Sequence, residues 1–387
     1  MTNPTRVLIV EDSVVQRKIL RMALEGNEGV EVIGHASNGK LALERIALGD
    51  VDVISLDLEM PVMGGLEVLQ NLKGKQPEVG VIVVSALSQQ GASATIEAMR
   101  LGAFDLITKP TSGGAVSGVI QDLREQLIPR IRACGVYIEN RRRSGGRGAT
   151  SPRAPLPSAL ENRRSIRSSA SSAAPSSPAA SSERKPRAAR GRFTPEILVL
   201  GSSTGGPRAL DVVLPALPAD LSVPVLVVQH MPPVFTKTLA ESLDRKCALH
   251  VMEATHGQEV RAGEILIAPG AQQMCFRRQA GKLVVNITDD PPERSCKPSV
   301  DYLFRAASEV TRGNTLAVVL TGMGDDGTAG SRLLQPLGAR IIAQDEATCV
   351  VFGMPRLLVT EDIADKVLPL DKIAGEITLA CGRRART

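Results

Sequence analysis

At 387 residues the chain exceeds one average domain and suits two domains plus a connection. Apolar residues make up 43% of it and aromatic residues only 2%, so its cores must be built from Val, Ile, Leu, Ala and Met, as in α/β proteins with parallel sheets. A formal charge of +5 admits an anionic partner, whereas six cysteines without a CxxC pair do not read as a zinc site or a disulfide framework but as reduced thiols.

No apolar stretch reaches the ~18 residues of a membrane helix, and no charged start followed by an apolar run opens the chain. A cytoplasmic protein without membrane insertion is expected, and nothing demands more than a monomer.

Residues 6–110 alternate between apolar strands and amphipathic helices. VLIV (7–10), VEVIGHA (30–36), VDVISLD (51–57), VGVIVVSA (79–86) and FDLIT (104–108) read as strands, and NGKLALERIALG (38–49) carries apolar residues at helical spacing. Strict alternation predicts a doubly wound (βα)5 parallel sheet, closed by a helix over 115–134. The first domain is expected over 1–135.

Residues 136–192 read as a linker. The stretch 141–190 is rich in Ser, Ala, Arg and Pro, and its 11 Arg and 1 Lys against 2 Glu give a net +10, which leaves −5 for the rest of the chain. Such a composition cannot bury enough surface to offset its chain entropy, so a flexible basic spacer is expected. Attraction to nucleic acid or an anionic membrane is the competing reading.

Regular structure resumes at EILVLGSS (196–203). VPVLVVQH (223–230), EILIAP (264–269), TLAVVLTG (315–322) and ARIIAQD (339–345) read as strands, with helical stretches such as SVDYLFRAASEV (299–310) between them. A second α/β domain with a mainly parallel sheet is expected over 193–387.

Ligands of a doubly wound sheet bind at the carboxyl ends of its strands. In the first domain those ends carry Glu11 and Asp12, then Asp57, then Ser85, then Lys109 followed by Pro110. Three carboxylates with one Lys and one hydroxyl make a hard-oxygen site suited to Mg²⁺, beside which a carboxylate can accept a phosphoryl group. The stretches VLIVEDS, DLEMPVMGG, VVSA and ITKP resemble a response-regulator receiver domain. That resemblance implies phosphorylation at Asp57 and Mg²⁺ held by Glu11, Asp12, Asp57 and the main-chain carbonyl of Glu59. It also implies a switch made of Ser85, Lys109 and Phe104. Glu11 stands where Asp is commoner in the family, and Gly64 where Asp is usual.

In the second domain GSSTGGP (201–207) follows a strand directly and fits G-x-S-x-G, with Ser203 as nucleophile on a sharp strand-to-helix turn. A phosphate-cradling loop has a similar pattern, but the next strand ends in Gln229–His230 and not in the acid of a dinucleotide site. His230 falls at the same sheet edge as Ser203, and TGMGDDG (321–327) brings Asp325 and Asp326 there. His250, opening a strand, and His256, in a turn, read as structural. Ser, His and Asp at three strand ends make an acyl-transfer arrangement, although the chain order differs from that of an α/β-hydrolase.

GSSTGGP, VVQHMPPVFT, PSVDYLF, LTGMGDDGTAG and AQDEATCVVFGMPR resemble, in order, the blocks of the chemotaxis protein-glutamate methylesterases, the CheB family. The resemblance implies Ser203 as nucleophile, His230 as base, Asp326 as orienting acid, and oxyanion donors at the amides of Met323 and Thr204. It implies a carboxylic ester hydrolase that removes methyl groups from glutamates of methyl-accepting chemotaxis receptors, releasing methanol, with no cofactor for that step. Receptor glutamine deamidation is a second implied activity. A chemosensory histidine kinase is the implied phosphodonor, and the receiver is expected to cover the catalytic face until phosphorylated. Cys296 and Lys297 precede PSVD where the family commonly has other residues. Two other readings are a non-catalytic signalling module, which the intact Ser203, His230 and Asp326 oppose, and a nucleic-acid binder, which the absence of a helix-turn-helix pattern opposes.

Overall fold

A computed structural model describes residues 3–73, 78–109, 116–143 and 193–382. Pro110 and most of the expected linker (144–192) lie outside the described residues.

The N-terminal unit runs β1 (Thr5–Val10), α1 (Val14–Leu24), β2 (Val30–Ala36), α2 (Gly39–Ile46), β3 (Val53–Leu56), α3 (Gly65–Leu72), β4 (Gly80–Ser85), α4 (Gln89–Leu101), β5 (Asp105–Thr108) and α5 (Val116–Arg143). Its sheet is parallel throughout, in the order β2-β1-β3-β4-β5. Strands β3 and β4 are buried at every position, because helices cover both faces of the sheet. Hydroxyls start the helices where the sequence offers them. Ser13 accepts from the Gln16 amide at 3.4 Å and Ser88 from the Gly91 amide at 2.9 Å, satisfying N–H groups that a first helical turn leaves unpaired. The strand order reverses between β1 and β3, so the crevice there opens beside Glu11, Asp12 and Asp57.

Helix α5 corrects one expectation. It continues past 135, where a linker was expected to begin, to Arg143. The Arg run that reads as solvated spacer has partners: Arg142 reaches Asp52 at 2.6 Å and Arg143 reaches Glu139 at 2.6 Å, while Ile138 is buried against the sheet.

The C-terminal unit runs β6 (Ile197–Ser202), α6 (Gly206–Val213), β7 (Val225–Gln229), α7 (Phe235–Asp244), β8 (His250–Glu253), β9 (Glu264–Ile267), β10 (Gln273–Gln279), β11 (Lys282–Thr288), α8 (Val300–Thr311), β12 (Thr315–Val319), α9 (Thr328–Leu334), β13 (Arg340–Gln344), α10 (Met354–Thr360), β14 (Lys366–Leu368) and α11 (Leu370–Cys381). Seven of these strands form a parallel sheet in the order β14-β13-β12-β6-β7-β9-β8. The antiparallel hairpin β10–β11 and the short β14 were not expected from the sequence. Met274, Phe276, Leu283 and Val285 of the hairpin alternate with less buried residues and pack into the same core as Phe304 of α8.

The two units pack together through α4, which lies against α6 and α7. Arg100 of α4 reaches Asp211 Oδ2 of α6 at 3.1 Å and also donates to the Ser242 hydroxyl of α7. Lys246 reaches the same Asp211 oxygen at 2.8 Å. The apolar cluster holding Phe104 and α5 takes in Val350 and Val351 of the second unit. Among the described residues no helix is long and apolar enough to cross a membrane.

Candidate active site

The topology puts β12, β6 and β7 side by side at the centre of the second sheet. Ser202 of β6 is level with Gln229 of β7, so Ser203 and His230 leave neighbouring strands at the same height. The His230 amide donates to Ser202 O at 3.0 Å, and the Ser203 amide donates to Thr321 O, just past β12, at 3.0 Å. The loop after β12 then carries Asp326 to the imidazole, whose Nε2 lies 2.7 Å from Asp326 Oδ2.

Asp326 is buried and fully engaged. Its Oδ1 accepts from Ser299 Oγ at 3.0 Å, the Asp301 amide at 2.8 Å and the Gly327 amide at 3.0 Å, and its Oδ2 accepts from the Val300 amide at 2.7 Å. Burial raises its pKa, but the contact with His230 and the amides of α8 outweigh it and hold the carboxyl below its usual range. The imidazole mirrors this. Burial pulls its pKa down, yet Asp326 and Cys296 bring it up to about 9. A carboxylate accepts only, so Nε2 keeps its proton and Nδ1 is the nitrogen that can act as a base once the ring is neutral. Nδ1 lies 3.7 Å from Cys296 Sγ, and among the described residues no hydrogen bond joins the ring to the Ser203 hydroxyl.

The turn at Ser203 depends on two glycines. Gly205 has φ of +78°, and a Cβ on Gly206 would come within 1.9 Å of Gln229 Oε1. Gln229 is the brace of the turn. Its Oε1 accepts from Ser202 Oγ at 2.7 Å, and its Nε2 donates to the carbonyls of Ser203 and His230, each at 3.0 Å. Thr204 and Met323, the expected oxyanion donors, flank the Ser203 turn and the 321–327 loop, and among the described residues no hydrogen bond occupies the amide of either. The Met323 loop is held by Gly322, whose amide donates to Val351 O at 3.0 Å and whose carbonyl accepts from the Met354 amide at 2.9 Å. Asp325 lies outside this network and pairs with Arg294. Gln229, Ser299 and Cys296 were not singled out as site residues from the sequence. The adjacency of Gln229 to His230 was one available signal, and the departure at Cys296 from the residues common before PSVD was another.

In the first unit the expected acidic pocket is assembled. Lys109 Nζ lies 2.6 Å from Asp57 Oδ2 and 2.9 Å from Glu11 Oε2. Carboxylate oxygens of Glu11, Asp12 and Asp57 all lie within 4.8 Å of one another, and Glu11 and Asp57 are buried. Burial pushes the Glu11 pKa up, and Lys109 only partly opposes it. Burial pulls Lys109 down, but its bonds to Asp57 and Glu11 outweigh this and raise it. An all-oxygen set with more negative charge than one Lys offsets fits a hard divalent cation such as Mg²⁺. The Glu59 amide donates to Asp57 Oδ1 at 3.3 Å, and a Cβ on Gly65 would come within 2.4 Å of Asp57 O, so the loop after β3 folds tightly beneath the acid. Ser85, at the end of β4, is buried. Phe104, also buried, meets Tyr137 of α5 with ring centroids 5.6 Å apart and the planes tilted by 50°.

A hydrogen bond from the second unit reaches β5, the strand that leads to Lys109. Asp105, four residues before Lys109, accepts a 2.6 Å hydrogen bond from Thr204 Oγ1 and a 3.0 Å one from Arg130 Nε.

Comparison with known proteins gives the same division. The family model described as CheB methylesterase matches residues 198–377, and that of the response regulator receiver domain matches residues 7–121. A "Protein-glutamate methylesterase/protein-glutamine glutaminase" of Desulfotalea psychrophila is 41% identical over 376 residues, covering 96% of this chain and 97% of that one. The protein of the same name from Thermotoga maritima is 38% identical, covering 95% and 96%. The crystal structure of the Thermotoga maritima CheB methylesterase catalytic domain is 44% identical, covers 48% of this chain and 97% of that one, and superposes with a TM-score of 0.47.

Proposed function

Because the chain belongs to the CheB methylesterase family, with a response regulator receiver domain ahead of the catalytic domain, we propose that it hydrolyses glutamate methyl esters on chemotaxis receptors under the control of phosphorylation at Asp57. The observation that carries the catalytic half is the 2.7 Å contact between His230 Nε2 and Asp326 Oδ2 at the strand end beside Ser203. We propose 1–143 as the receiver domain and 193–387 as the catalytic domain.

With Nε2–H held by Asp326, His230 Nδ1 takes the proton from Ser203 Oγ as the oxygen attacks the ester carbonyl. The amides of Met323 and Thr204 receive the charge that develops on the carbonyl oxygen. The ester C–O bond breaks, and methanol leaves with the proton from Nδ1. Water, deprotonated by the same nitrogen, then opens the glutamyl-serine ester and restores the carboxylate. A glutamine side chain reacts by the same steps with ammonia as leaving group, the second activity in the names of the relatives.

In the receiver, Glu11, Asp12, Asp57 and the Glu59 carbonyl would hold Mg²⁺, which offsets charge on a phosphoryl group arriving at Asp57. Lys109 and Ser85 would contact that group. A chemosensory histidine kinase is the phosphodonor in this reading, and the cytoplasm its compartment. Lys109 now pairs with Asp57, and it directly follows β5, which carries the Asp105 that holds Thr204. Phosphorylation withdraws Lys109 from its present pairing, shifts β5 and loosens the Asp105–Thr204 contact beside Ser203.

The test is methanol release from methylated receptor membranes, with and without a small-molecule phosphodonor and Mg²⁺, for wild type and Ser203→Ala. Release that rises with phosphodonor and disappears in the variant is expected. Full release by Ser203→Ala would overturn the serine mechanism, and release indifferent to phosphodonor would overturn the control.

A further inference from the structure

Cys296 has no part in the acyl-transfer steps, yet its sulfur stands against the nitrogen that performs them. Sγ lies 3.7 Å from His230 Nδ1, although 66 residues separate the two in sequence. A sulfur, a ring nitrogen and a carboxylate oxygen of Cys296, His230 and Asp326 lie within 4.8 Å of one another.

This spacing is that of two ligands on one soft metal ion. With a metal–sulfur bond of about 2.3 Å and a metal–nitrogen bond of about 2.0 Å, a tetrahedral angle sets S and N roughly 3.5 Å apart. An ion therefore enters between Cys296 and His230 with side-chain shifts of a few tenths of an ångström. The surroundings suit it as well. A metal-bound histidine characteristically gives its other N–H to a carboxylate, which fixes the ring and strengthens the ligand. Asp326 already does this at Nε2, and its own oxygens are tied to Ser299 and to the amides of Val300, Asp301 and Gly327.

The thiol is also held in place. Glu293 and Cys296 exchange backbone hydrogen bonds of 3.1 and 2.7 Å, which close the loop that carries the sulfur. Arg305 anchors Glu293, and Arg294 ties the loop to Asp325 on the catalytic 321–327 segment. Cys296 is half-buried, so the position is open to a small ion. Sulfur and imidazole nitrogen select a thiophilic ion, in contrast to the oxygen set of the receiver pocket.

We propose that Cys296 and His230 form a binding site for a thiophilic divalent cation of the Zn²⁺ class, with Asp326 supporting the imidazole. An ion on Nδ1 occupies the lone pair that Ser203 needs, so it inhibits the esterase. That consequence rests on the function proposed above, whereas the binding does not.

The experiment uses the full-length chain stripped of metal by chelation. Co²⁺ serves as the spectroscopic probe and Zn²⁺ as the inhibitor of methanol release. The expected result is a thiolate-to-cobalt charge-transfer band of one ion per chain, lost in Cys296→Ser and weakened in His230→Asn. Zn²⁺ should reduce release by wild type at least ten-fold, reversibly with chelator, and Mg²⁺ should not. Cys296→Ser and Cys296→Ala, each compared with its own metal-free rate, should need at least ten-fold more Zn²⁺ for the same inhibition. A wild-type chain without the band, or a Cys296→Ser chain that keeps both the band and the zinc sensitivity, would overturn the site. A Cys296-dependent band in a chain that releases no methanol would uphold the site and overturn the esterase function.

Discussion

Thr204 donates its hydroxyl to Asp105 Oδ2 at 2.6 Å, which ties a receiver carboxylate to the residue that follows Ser203. Arg100 braces the same interface on Asp211 and Ser242. A lost hydrogen bond to a charged group costs about 1.5 kcal/mol at the low end, or roughly ten-fold in an equilibrium. Arg100→Ala and Asp105→Asn should each raise methanol release without phosphodonor by about that factor and shrink the further rise on phosphorylation. Unchanged basal release in both variants would mean that these contacts do not restrain the enzyme.

Lys109 offsets two buried carboxylates, Glu11 and Asp57. Removing one partner of such a group leaves uncompensated charge, at a cost of about 3 kcal/mol. Lys109→Met should lower the melting temperature in chelator, and added Mg²⁺ should recover part of the loss. Asp57→Asn should keep basal methanol release and lose its response to phosphodonor. A response that survives in Asp57→Asn would move the phosphoryl group to another residue.

The His230 pKa of about 9 ties activity and stability to one proton. A base must be neutral, so kcat/KM should climb as pH rises through about 9. Stability runs the other way. The folded-state pKa is raised above the ordinary value of about 6.5, so the stabilisation is complete below about 6.5 and is lost as pH rises through about 9. Cys296→Ser removes one of the raising contacts and should move the activity limb to lower pH. Profiles of kcat/KM and melting temperature from about pH 6 to about 10 would reveal both limbs, and a limb unmoved by Cys296→Ser would exclude the thiol as a cause.

Gln229 braces the nucleophile turn through three hydrogen bonds. Gln229→Leu keeps the volume but strips a partner from the buried Ser202 hydroxyl and the Ser203 and His230 carbonyls, of which the Ser203 carbonyl keeps the Gly206 amide, at about 1–3 kcal/mol per group left unpaired. We expect a lower melting temperature and a kcat reduced at least ten-fold with little change in KM, because the turn orients Ser203 without holding substrate. Loss confined to KM would place Gln229 in substrate binding instead.

The sequence by itself determined the elements whose patterns are local. Strands such as VISL and VLVVQ are mostly apolar and buried at every position because helices cover both sheet faces, and each chemically pointed residue follows such a run. Placing Asp57, Lys109, Ser203, His230 and Asp326 at strand ends therefore needed only periodicity and the rule that parallel strands open their ligand sites at one edge. The hairpin β10–β11 was less legible, because its alternating pattern becomes meaningful only against the core it covers. The end of α5 misled for the opposite reason. Its Arg run looks solvated until Asp52, 90 residues away, is brought beside Arg142.

Only the tertiary structure decided which groups meet. Cys296 against His230, Asp105 against Thr204 and Arg100 against Asp211 join residues 66, 99 and 111 positions apart. No local pattern encodes such pairs, because side-chain periodicity reports which face is buried and not what lies opposite it. The chemistry of each strand end was therefore written in the residues themselves, whereas the coupling between the two sites, and the thiol at the base, came from how the sheets and helices pack.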